Sequence, residues 1–172
     1  MINVGIIGTG VMGAGHARFI RDHIPEAKVV GLSDVDLSKV EKVAKELQTV
    51  LISTSNPEEL MNDSRVDAII IASPDPLHVA HLNLAIASKK PILCEKPIAT
   101  TVEEAENLPR LASGARSFPG GRRQRRRKGG DRGQDHAGAR GRVHFVSADA
   151  GAAAGLGAAI QSADGAGVGA GV

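Results

Sequence analysis

The run Gly8-Thr9-Gly10-Val11-Met12-Gly13 constrains this chain more than any other feature. Before it stands Ile2-Asn3-Val4-Gly5-Ile6-Ile7, a short apolar stretch suited to a buried strand. After it, Val11, Met12, Ala14, Ala17, Phe19 and Ile20 give a helix-like pattern. A second apolar run, Val29-Val30-Gly31-Leu32, then leads to Asp34, about 20 residues beyond Gly13. Gly8 permits a sharp turn out of the strand, and Gly10 lets a phosphate approach the backbone. Gly13 lets the helix lie close to the sheet, while the free N–H groups of Val11 and Met12 at the helix start attract anions. Strand, glycine turn, helix, strand and carboxylate, in that order, point to a dinucleotide-binding unit. The plainer alternative, glycines that only shape a turn and an Asp34 that only caps the next helix, leaves that order unexplained.

Asp34 also bears on which dinucleotide is expected. Its carboxylate would accept hydrogen bonds from adenosine ribose hydroxyls. A 2′-phosphate there would face Asp34 and Asp36, with no Arg or Lys before Lys39. The pattern therefore favours NAD over NADP.

Strands and helices alternate up to about Leu108. Asp36–Leu47 is expected to be a helix with Leu37, Val40, Val43, Ala44 and Leu47 inward, and Val50-Leu51-Ile52 a short strand. Asn56-Pro57-Glu58-Glu59 reads as a capped helix start. Val66–Ala72 is the clearest buried strand, Pro76–Ser88 an amphipathic helix and Pro91–Cys94 another strand. Thr101 caps a last helix running to Leu108, where Pro109 interrupts it. The fold class is α/β, a doubly wound parallel sheet of the Rossmann type with right-handed crossovers, over residues 1–112.

Residues 113–172 are written differently. Gly, Ala and Arg dominate, and Leu156 and Ile160 are the only leucine and isoleucine. The net charge of +2 divides into −4 before residue 113 and +6 after it. With so little apolar surface to offset chain entropy, this segment is expected to be a disordered low-complexity tail. Its composition matches out-of-frame translation of a GC-rich gene, with the shift between Leu108 and Phe118. The basic run Arg122–Lys128 has no interleaved aromatic residue for base stacking, so no nucleic-acid partner is expected. The single cysteine, Cys94, excludes an intrachain disulfide framework and fits a reducing compartment. The apolar N-terminal run is too short to span a membrane. A soluble, cytoplasmic protein without a membrane partner is expected. His78 and His81 lie three apart, but no third ligand accompanies them, so no metal is expected.

Two further segments, Ser73-Pro74-Asp75-Pro76-Leu77-His78 and Cys94-Glu95-Lys96-Pro97, join the glycine motif. Together they resemble the Gfo/Idh/MocA oxidoreductases, which include glucose–fructose oxidoreductase and the inositol dehydrogenases. The wording around Gly8 and Lys96 is most similar to the inositol 2-dehydrogenase branch. The resemblance covers residues 1 to about 108. It implies hydride transfer from a polyol or sugar hydroxyl to NAD, with Lys96 as the catalytic lysine. It implies that Ser73 and Pro74 neighbour the cofactor, that His78 lies near the nicotinamide ribose, and that Glu95 holds cofactor or lysine in place. Family members carry a second α/β domain that supplies further substrate contacts and the homo-oligomer interface. That domain is not recognisable in residues 113–172, nor is the last strand of the nucleotide domain. An open sheet edge, no oligomer of this chain and cofactor binding without full catalysis are therefore expected. The alternative is a non-catalytic NAD-binding module with a basic tail.

Overall fold

The structure, a computed structural model, describes residues 1–107 together with 144–146. Its elements in chain order are β1 (Ile2–Ile7), α1 (Val11–His23), β2 (Ala27–Ser33), α2 (Leu37–Leu47), β3 (Ile52–Thr54) and α3 (Pro57–Asn62). Then follow β4 (Ala68–Ile71), a 3₁₀ turn (Asp75–Leu77), α4 (His78–Ala87), β5 (Ile92–Cys94), α5 (Val102–Asn107) and β6 (His144–Val146). The sheet order is β3-β2-β1-β4-β5-β6. β1 to β5 run parallel, as the alternation of strand and helix predicts.

Strand periodicity sorts the core into two layers. Val4, Ile6, Leu32, Ile70 and Leu93 face one side, where α1 brings Ala14, Ala17 and Ile20 and α2 brings Val40, Val43 and Leu47. Ile7, Val30, Ile69, Ile71, Ile92 and Cys94 face the other, against Leu60 and Met61 of α3 and Leu82 and Ala85 of α4. Strands buried on both faces read as nearly unbroken apolar runs, which is why Ala68–Ile71 was so legible. Side chains settle the helix starts. Asp36 accepts the Ser38 N–H ahead of α2, and Asn56 accepts the Glu58 N–H ahead of α3 with Pro57 in the first position. At α5, Thr101 Oγ1 accepts the Glu104 N–H at 3.1 Å while Glu104 Oε2 accepts the Thr101 N–H at 3.1 Å, a reciprocal cap.

Three expectations need correction. The third strand is Ile52–Thr54 rather than 50–52, because its pairing partners are Gly31, Leu32 and Ser33. The fourth helix begins at His78 after a separate 3₁₀ turn. The edge beyond β5 is paired, not open: β6 runs antiparallel to it in the register Ile92↔Val146, Leu93↔Phe145 and Cys94↔His144. β6 is only three residues long, and its backbone supplies the ladder partners on that side of β5. The remaining expectations for residues 108–143 and 147–172, including the basic run and the frame shift, lie outside the described residues.

Candidate functional site

Strand order reverses between β1 and β4, since the chain moves outward to β2 and β3 before returning to β4. In open α/β sheets a crevice forms at such a reversal, beyond the carboxyl ends of the strands. A cavity of about 350 Å³ lies there. Gly8, Gly10, Val11 and Met12 of the glycine turn line it, with Asp34, Val35 and Lys39 after β2. Ser55 and Pro57 close it beside α3, and Ala72, Ser73, Pro74, Leu77 and His81 beside α4.

The glycines divide by role. Gly8 has φ +90°, and a Cβ there would sit 2.5 Å from the Ala72 carbonyl oxygen. Any side chain at Gly13 would collide with the carbonyl oxygen of Gly8. These two glycines shape the turn and bring α1 against β1. Gly10 is different: a Cβ built on it meets nothing within 4 Å, so it would project into open space at the cavity wall. Gly10 also stands at the start of α1, whose first-turn amides receive no side-chain cap and whose first turn holds no acidic residue. Unclaimed amides at a helix start beside a bare backbone suit a pyrophosphate.

Asp34 ties this turn to β2. Its Oδ2 accepts the Thr9 N–H at 2.7 Å and the Thr9 hydroxyl at 3.1 Å, and its Oδ1 accepts the Asp36 N–H at 3.0 Å. Burial alone would raise the Asp34 carboxyl, but the amides of Asp36 and Thr9, the Thr9 hydroxyl and the Lys39 ammonium outweigh it and hold the group below its ordinary value. One lone-pair direction on Oδ1 is left for a further donor. Asp36, not Asp34, caps α2. Val11 and Val35 are 90% and 89% exposed, so the cavity mouth carries apolar side chains without protein cover.

The other residues expected at a site gather at the ends of β4 and β5. Glu95 is buried, and its Oε1 lies 2.6 Å from His16 Nε2 on α1. Its Oε2 accepts the Lys96 N–H at 3.3 Å. The His16 hydrogen bond, against the effect of burial, keeps the Glu95 carboxyl below its usual value. Lys96 itself is exposed. His78 is buried, with Nδ1 2.7 Å from the Pro97 carbonyl oxygen and Nε2 2.7 Å from that of Ser73. Both ring nitrogens therefore face backbone carbonyls, and His78 is not among the cavity walls. The ring bridges the loops after β4 and β5. Gly13, Glu95 and Lys96 also lie outside the cavity walls. His81, one turn beyond His78, does line the cavity, with Nδ1 2.9 Å from Ser73 Oγ. Sequence spacing showed both histidines on one helix, but not which faced the crevice. No group of three metal-ligating side chains occurs among the described residues.

Residues 2–117 match the family model described as oxidoreductase family, NAD-binding Rossmann fold. The chain belongs to the Gfo/Idh/MocA family. Inositol 2-dehydrogenase 1 of Saccharopolyspora erythraea is 40% identical over 103 residues, which cover 60% of this chain and 31% of that protein. Inositol 2-dehydrogenase of Agrobacterium fabrum is 36% identical over 107 residues, covering 62% of this chain and 32% of its own. A crystal structure of myo-inositol dehydrogenase from Lactobacillus casei in complex with NAD(H) and myo-inositol superposes with a TM-score of 0.60 at 30% identity. That likeness covers 63% of this chain and 32% of the other. The chain thus spans about a third of the length of the curated relatives it matches. Family membership makes NAD the cofactor of the fold. The uncapped helix start, the bare Gly10 wall and the accepting Asp34 fit that group. No described helix is long and apolar enough to cross a membrane.

Proposed function

We propose that this chain is the dinucleotide-holding part of an oxidoreductase that oxidises a ring hydroxyl of a polyol or sugar, of the myo-inositol kind, to a ketone. The observation that carries the reading is the position of Lys96. It follows Glu95 at the carboxyl end of β5, on the same end of the sheet as the glycine turn and Asp34. NAD supplies the hydride acceptor when bound. Asp34 holds the adenosine ribose, and the amides at the start of α1 hold the pyrophosphate. Lys96 hydrogen-bonds the substrate hydroxyl and stabilises the alkoxide-like charge that develops on its oxygen. Glu95, fixed by His16, accepts the Lys96 backbone N–H and so sets the turn from which that side chain extends. Ser73 and Pro74, which line the cavity after β4, neighbour the cofactor.

A second reading, a module that binds NAD without chemistry, is favoured by the cavity's walls, which include Asp34 and the glycine turn but not Lys96. For these 172 residues taken alone we adopt that outcome: they bind the dinucleotide and turn over polyols little or not at all. Correct positioning of the two reactants contributes roughly 7–11 kcal/mol to such a reaction. The test pairs NADH titration by fluorescence with NADH formation from NAD over a panel of polyols and sugars. Binding without turnover is the expected result. Turnover at a rate typical of enzymes, about 1–1000 per second, would show that this chain alone completes the site. A Lys96→Met variant should keep NADH affinity, and any polyol turnover that the unaltered chain does show should disappear in it.

A further inference from the structure

We propose that His81 is a base-recognition residue of the dinucleotide site, its Nε2 hydrogen-bonding the purine. The inference rests on the NAD reading of the cavity and adds a contact to it. The cavity reaches from Asp34, Val35, Ser55 and Pro57, which follow β2 and β3, across to Leu77 and His81, which follow β4, while Glu95 and Lys96 at the end of β5 lie outside it. With the ribose at Asp34, the group that enters this space is the adjoining base rather than the nicotinamide. Val35, Pro57 and Leu77 give it apolar walls suited to the faces of a flat ring. Such a ring also needs an edge partner, because its polar atoms lose water on entry.

His81 supplies one. Its Nδ1 is held 2.9 Å from Ser73 Oγ, which fixes the ring, and Nε2 has no partner among the described residues. Burial, with a smaller effect from His78, holds the His81 imidazole below its ordinary value and so favours the neutral ring. A neutral imidazole with Nδ1 engaged keeps one defined role, donor or acceptor, at Nε2. Its neighbour His78 cannot take this part, because both of its nitrogens face backbone carbonyls.

The experiment titrates the full chain with NADH and with ADP-ribose, which keeps the purine and lacks the nicotinamide. His81→Leu should raise both dissociation constants by the same factor, about 3- to 10-fold, the effect of one neutral hydrogen bond. His81→Gln, whose amide reaches the position of Nε2, should restore most of the affinity. His81→Asn, whose amide reaches only the position of Nδ1 and can keep the Ser73 contact, should not. Unchanged affinity in His81→Leu, or rescue by Asn instead of Gln, overturns the proposal and leaves His81 a structural partner of Ser73. If the unaltered chain binds neither ligand, the NAD reading of the cavity falls and the His81 assignment falls with it.

Discussion

Gly10 and Gly13 are three residues apart and yet face opposite tests. Gly13→Ala pushes a methyl group into the Gly8 carbonyl, so about 1–3 kcal/mol of stability should be lost, read by urea denaturation. Gly10→Ala meets open space, so its stability should change by less than about 1 kcal/mol. Its NADH affinity should nevertheless fall, because the methyl group occupies the cavity wall. Equal destabilisation by the two substitutions would contradict this division. Asp34→Ala should weaken NADH binding about 10-fold or more, as expected when hydrogen bonds to a charged group are lost. It should also lower the melting temperature of the free chain, because Thr9 loses both of its contacts to the carboxylate. An unchanged melting temperature would mean that those contacts do not hold the glycine turn.

The pairing of α1 with β5 through His16 and Glu95 predicts a pH response at the scale of elements. The folded state holds the Glu95 carboxyl below its ordinary value of about 4.5. A depressed carboxyl pKa contributes stability that is present above the unfolded value and is lost as pH falls through the folded one. Stability measured by urea denaturation should therefore decline below about pH 4.5, and Glu95→Gln should make that decline shallower. An identical acid limb in the variant would remove Glu95 from the account. For packing, Leu82→Ala on the buried face of α4 should cost about 2–5 kcal/mol, measured the same way. Elements with dense local signals were legible in sequence: β1, α1 and β4 by their apolar runs, α2, α3 and α5 by Asp36, Asn56 and Thr101 at their starts. β3 lies two residues beyond the strand-like Val50 and Leu51, because its register is fixed by β2 and Leu51 is 65% exposed. β6 carries three residues within a Gly-, Ala- and Arg-rich text, too few for a periodic signal. At the site, spacing pointed to Gly8, Gly10 and Asp34, and the family resemblance to Ser73; all four line the cavity. Which of His78 and His81 lines the cavity was not legible, because it depends on how α4 is rotated against the sheet.

At the scale of the whole molecule, Cys94 offers an internal reporter. It is fully buried, and burial, with a smaller effect from Glu95, pushes its thiol up to about 12. Modification by a disulfide reagent at neutral pH should therefore be slow in native buffer. It should accelerate in step with unfolding as urea is added, because thiolate and access appear together. Fast labelling of the native chain would mean that β5 opens independently of the rest. The strand order has a further consequence, one concerned with time rather than geometry. β1 is made first, but it lies in the interior of the sheet and needs neighbours on both sides. One arrives soon, at Ala27–Ser33; the other, Ala68–Ile71, is separated from it by about 64 residues in the register Val4↔Ala68. A chain still being synthesised, and any chain stopped at residue 62, therefore presents β1 with an unpaired apolar edge. Cells making this protein must carry that edge past other nascent chains until β4 emerges and covers it.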